Sequence, residues 1–168
     1  MSRQRIEAAV KQMEQVRGVL KGYLEDMQPH EWFGQPAGGV THVGWQVGHL
    51  AAAQYMLHIG RVRGVLESDA EFAPPDFLKR YGRGSTPDPD PAANASPEVL
   101  CQRLDEIFAR GKAVLAEFTD EQLDAPLENP HPVFKTRLAA VEFCPVHESM
   151  HLGQIMLLRR LLGRAPKW

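Results

Sequence analysis

A chain of 168 residues with 43% hydrophobic and 24% charged side chains has the composition of a globular domain with room for a substantial core. Its formal net charge of −2 and the lack of any Lys/Arg-rich run argue against a nucleic-acid surface. Two cysteines, Cys101 and Cys144, make no disulfide framework. An N-terminus without an apolar core, and no apolar run long enough for a bilayer, set a cytoplasmic location as the default.

From about Arg5 to Met27, Ile6, Ala9, Val10, Met13, Val16, Leu20, Leu24 and Met27 recur at three- and four-residue steps, which predicts a first amphipathic helix. Pro29 and the run from Gly34 to Gly39 end it. A second helix is expected after Thr41, to about Leu66. Its first half, through Trp45, Val47, Leu50 and Tyr55, is apolar nearly all round and therefore buried. Gly44 and Gly48 weaken that helix locally but permit a close approach, most simply by a neighbouring helix.

Residues 67–95 carry five prolines and predict a long connection, with at most a short turn at Asp76–Arg80. Its length allows the chain to return along the bundle, leaving helices two and three parallel. Ser96 caps the third helix with Pro97 at its first position. Thr119-Asp120-Glu121-Gln122 is a capping box for one extra turn. A fourth helix starts near Thr136 and stops at Gly163, with Pro145 expected to kink it. Four helices and no strand pattern predict an all-α four-helix bundle, one domain over 1–168.

The fourth helix contains His147-Glu148-Ser149-Met150-His151. Histidines four apart stand one turn above each other, close enough for both rings to reach one divalent ion. The pentad also fits a metalloprotease signature in which Glu148 is the general base. No His, Cys, Asp or Glu follows His151, so a third ligand has to come from upstream, which argues against a protease. His49, in the buried part of helix two, is the first choice, because a buried imidazole needs a polar partner. His42 is the alternative. His58 lies half a turn out of phase with His49, and His30 and His131 sit in loops beside prolines. Cys144 reads as a small core residue.

The chain resembles the DinB-like superfamily, also called YfiT-like putative metal-dependent hydrolases. Trp45-x-x-Gly48-His49-Leu50, Tyr81-Gly82-x-Gly84-Ser85, and His147-x-x-x-His151-x-Gly153-Gln154 with Leu158-Arg159-Arg160 carry the resemblance over nearly the whole chain. It implies an up-down-down-up bundle, often dimeric, with one zinc, nickel or similar divalent ion held by His49, His147 and His151. It also implies chemistry on low-molecular-weight thiols in some relatives, and no DNA-binding role.

Three readings of function follow. An enzyme would use the ion on a small-molecule substrate, in thiol transfer, or in hydrolysis with Glu148 as base. A metal- or ligand-binding stress protein without catalysis is the second, although structural zinc usually takes four protein ligands. Haem between paired histidines is a third, minor one.

Overall fold

The computed structural model describes residues 2–36 and 38–167. In chain order its helices are α1 (Ser2–Leu24), α2 (Val43–Tyr55), α3 (Arg61–Arg63), α4 (Pro75–Tyr81), α5 (Pro97–Glu117), α6 (Asp120–Asp124) and α7 (Arg137–Leu161). No strand occurs among the described residues, apart from an isolated bridge between Pro126 and Thr136. The helix starts follow local chemistry. Ser96, Thr119 and Thr136 each accept a backbone N–H with the side-chain oxygen, satisfying donors that the first turn leaves free.

Four long helices form the bundle, and side-chain bonds between them set its directions. Arg5 pairs with Glu142, Arg17 with Glu148, and Arg159 with the Tyr23 carbonyl and Asp26, so α1 and α7 run parallel. Arg3 donates to the carbonyls of Leu115 and Phe118, Lys112 pairs with Glu14 and Lys21 with Asp105, so α5 runs opposite to α1. Gln46 donates to Gln154 near one end, while Arg137 at the start of α7 donates to the Val62 carbonyl near the other, so α2 runs opposite to α7. The result is the expected up-down-down-up order, with α2 and α5 parallel.

Helix two stops three residues before the expected Leu66. It passes through one π turn, Met56–Gly60, and a last turn at α3, and Gly64 ends it with φ +93, a conformation that costs glycine little. His58 lies in that π turn, wholly buried. A Cβ on Gly111 would lie 2.9 Å from the Cβ of His58, so the bare glycine makes room for it. α7 continues through Pro145. A proline there cannot donate to the Val141 carbonyl four residues back, and that carbonyl acts on the His58 ring.

The connection after α3 is more structured than its prolines predict. Two 3₁₀ turns, Glu67–Glu71 and Pro91–Ala93, flank α4. The buried Asp69 carboxylate accepts from Tyr55 Oη at 2.9 Å, Arg63 Nη2 at 2.6 Å and the Leu66 N–H at 3.0 Å, which fastens the start of the segment to α2. The ring of Tyr81 then seats on Gly48, where any Cβ would collide with it. The close approach permitted by this glycine is thus made by the aromatic ring that ends α4, a short helix within the crossover.

Candidate metal centre

His49 on α2 and His147 and His151 on α7 bring one ring nitrogen each to within 4.8 Å of one another. The Nε2 atoms of His147 and His151 are 3.2 Å apart, near the roughly 3.3 Å separating two nitrogens that share a tetrahedral ion at about 2.0–2.1 Å. On His49 and His151 the remaining nitrogen fixes the ring. His49 Nδ1 donates to the Tyr81 carbonyl at 2.8 Å, leaving Nε2 as the acceptor that faces the cluster. Gln46 donates through Nε2 to Gln154 Oε1 at 2.8 Å and Thr41 Oγ1 at 3.0 Å, so its Oε1 accepts from His151 Nδ1. A nitrogen ligand whose other N–H is held by an oxygen keeps its tautomer and its aim.

Further contacts stiffen the site. The Trp45 ring stacks on His49, centroids 4.7 Å apart and planes at 9°, and its Nε1 donates to Ser85 Oγ at 2.9 Å. Ser85 in turn donates to the Gly82 carbonyl. The Tyr81–Ser85 stretch of the crossover therefore supports His49 twice, through the Tyr81 carbonyl and through Trp45.

Burial pushes all three histidines below the usual imidazole range. His147 falls to about 4 and His151 to about 3, the neighbouring imidazoles adding to burial, and His49 is lowered by burial against the raising effect of Tyr81. At neutral pH the cluster is three uncharged lone-pair donors, the form in which imidazole binds a metal. Donor type and spacing, and the His49 and His151 tautomers, suit one divalent ion.

His42, the alternative ligand, is occupied elsewhere. Its Nδ1 accepts the Trp45 N–H at 3.0 Å and its Nε2 donates to the Asp88 carbonyl at 2.9 Å. Glu148, the general-base candidate, stands apart from the three nitrogens. It is 2% exposed, and its two oxygens accept from Arg17 Nε at 2.7 Å and Arg17 Nη2 at 2.8 Å. Arg17 also donates to Gln54 Oε1 and the Leu104 carbonyl, so the pair ties all four long helices together. Cys144 is buried beside this pair, and burial holds its thiol well above the usual range.

Gln46 and Arg17 carry these arrangements and were not singled out from sequence. Arg17 stands in phase with Met13 and Leu20 on the apolar stripe of α1. Gln46 is a polar residue in an otherwise apolar turn. A polar group out of pattern was the available signal in both cases.

A four-helix bundle with three inward imidazoles from two antiparallel helices defines the class. The family model described as the DinB superfamily matches residues 12–155, and the chain belongs to that superfamily. A protein of unstated function from Enterococcus faecalis has a crystal structure similar to it, with TM-score 0.72 and 19% identity over 94% of this chain and 97% of that one. YfiT from Bacillus subtilis, described as a probable metal-dependent hydrolase with an unusual four-helix bundle topology, is similar with TM-score 0.64 and 21% identity over 98% and 91%. At these identities the likeness concerns the fold. No curated protein matches the chain. No described helix is long and apolar enough to cross a membrane.

Proposed function

We propose that this chain is a metal-dependent enzyme that joins a low-molecular-weight thiol to a small electrophile, with His49, His147 and His151 holding the ion. One observation carries the choice of thiol transfer: the only carboxylate in the histidine motif, Glu148, is engaged through both oxygens by Arg17. Hydrolysis at such a site profits from a protein base that takes a proton from water. A thiol needs less help, since its own pKa is far closer to neutrality. When bound, a divalent ion on three neutral ligands supplies Lewis acidity, which favours the deprotonated form of a thiol or water.

The residues of the chain then have distinct tasks. Tyr81 and Gln46 hold the His49 and His151 tautomers, and Trp45 covers one face of His49. In the reaction a carbon–sulfur bond forms, the thiol proton goes to solvent, and the electrophile's leaving group departs with its electron pair. Zinc and nickel are the ions this reading favours. The words used for the Bacillus subtilis relative favour a second reading, hydrolysis.

Elemental analysis of freshly purified protein comes first, with about one zinc or nickel per chain expected. Cobalt-substituted protein should then change its visible spectrum when a cellular thiol is added, and thiol plus electrophile should give the conjugate. Ester or amide cleavage in thiol-free buffer, with no spectral response to any thiol, would replace transfer by hydrolysis. Bound metal without either activity would leave a binding protein.

A further inference from the structure

Between the crossover and the loop that leads into α7, two hydrogen-bond donors face each other. His131 Nδ1 accepts the Val133 N–H at 3.2 Å, so the ring carries its proton on Nε2. Arg83 Nη1 lies 3.5 Å from that Nε2, and a guanidinium has no acceptor to offer it. Arg83 is exposed, and no carboxylate of the described residues pairs with it. The backbone of Arg83 and the ring of His131 are both fixed. Ser85 N–H donates to the Gly82 carbonyl at 3.2 Å, and Gly84 has φ +86, which makes residues 82–85 a tight turn with Arg83 at its tip. The His131 ring stacks on the buried Phe134, centroids 4.4 Å apart and planes at 12°. The Arg61 guanidinium lies over the same Phe134 ring at 5.1 Å. Two donors beside a second cation match a planar acceptor with negative charge, a carboxylate.

The donor pair stands at the edge of the metal centre. Arg83 is two residues from Tyr81, whose carbonyl takes the His49 N–H, and two from Ser85, which takes the Trp45 N–H. On the other side Phe134 lies against Phe143, centroids 5.5 Å apart, and Phe143 against His147 at 6.0 Å. A closed circuit of contacts therefore runs from His49 through the turn to Arg83, across to His131, and back along two phenylalanines to His147. A small molecule bound at the three imidazoles has the donor pair on the rim of its site. We propose that Arg83 and His131 hold a carboxylate carried by the molecule that binds the ion. On the thiol reading given above, on which this rests, that molecule is a mercapto acid. Arg83 then determines specificity: it binds the end of the substrate remote from sulfur and selects mercapto acids over neutral thiols.

The test is a titration of cobalt-substituted protein with mercapto acids of rising length, from mercaptoacetate to mercaptooctanoate, and with their methyl esters. The visible spectrum reports each affinity. At the length that spans the site, native protein should bind the acid about tenfold more tightly than its ester. Arg83→Met should bring that ratio to about one with metal content and ester affinity retained, and Arg83→Lys should keep part of it. Equal affinity of native protein for acid and ester at every length, or a preference that survives Arg83→Met, would overturn the proposal. A spectrum unmoved by every thiol would defeat the thiol reading instead. Hydroxamates with and without a terminal carboxylate, which bind through oxygen, then put the same question to Arg83, and the same two results decide it.

Discussion

Consecutive residues of α7 serve two polar clusters of opposite character. His147 and His151 face His49, while Glu148 between them turns to Arg17. In the Arg17 cluster positive and negative groups meet directly: both Glu148 oxygens, Gln54 Oε1 and the Leu104 carbonyl all accept from one guanidinium. In the histidine cluster three neutral rings bring one nitrogen each to a common space. The first arrangement matches its charges without anything added, with Gln54 Nε2 its one unpartnered atom, whereas the second is a set of convergent nitrogens with no positive group among them. A buried cluster whose charges match one another has a structural role, and convergent neutral imidazoles make a candidate ligand site.

The sharpest break of this contrast is to remove one histidine. His49→Ala, His147→Ala and His151→Ala should each abolish stoichiometric metal by elemental analysis, with far-ultraviolet circular dichroism unchanged. Retention of metal by all three would dissolve the distinction. The opposite result is expected of Arg17→Met or Glu148→Ala, which strand a buried charge. Each should lose about 3–5 kcal/mol in denaturant unfolding, while the protein that remains folded keeps its metal. If Glu148→Gln removed activity with stability and metal intact, Glu148 would belong to the reaction after all.

Smaller effects sharpen the comparison. Gln46→Leu leaves His151 Nδ1 without its oxygen and should weaken metal binding about 10–100-fold in a chelator competition, with Gln46→Glu recovering part of it. His58 offers the finest test. Burial first, and the Arg17 charge second, bring its pKa from 6.5 to about 4. The unfolded chain therefore binds the proton more readily, and the His58 share of stability is present above pH 6.5 and lost as pH falls through about 4. His58→Leu should flatten the dependence of the denaturation midpoint over that window by up to one proton. An unchanged slope would assign the acid sensitivity to the other buried histidines.

Much of the bundle was legible in the chain. The three- and four-residue steps from Ile6 to Leu24, the Ser96-Pro97 start and the paired histidines are all local patterns. The structured crossover was less legible, since its anchors, Asp69 to Tyr55 and Tyr81 to Gly48, join residues that no helical period relates. The helical phase of His58 keeps it off the His49 face, but nothing in that phase says that it is wholly buried.

Sequence alone determined the four long helices, their approximate limits and the one-turn separation of His147 and His151, because each depends on contacts within a few residues. Tertiary packing decided which way Glu148 faces, which carbonyl steadies His49, and that a proline-rich crossover supports the site. Those outcomes depend on Arg17, Tyr81 and Gln46 arriving from distant parts of the chain. A helical repeat states which residues share a face, and only the packing of helices states what that face meets.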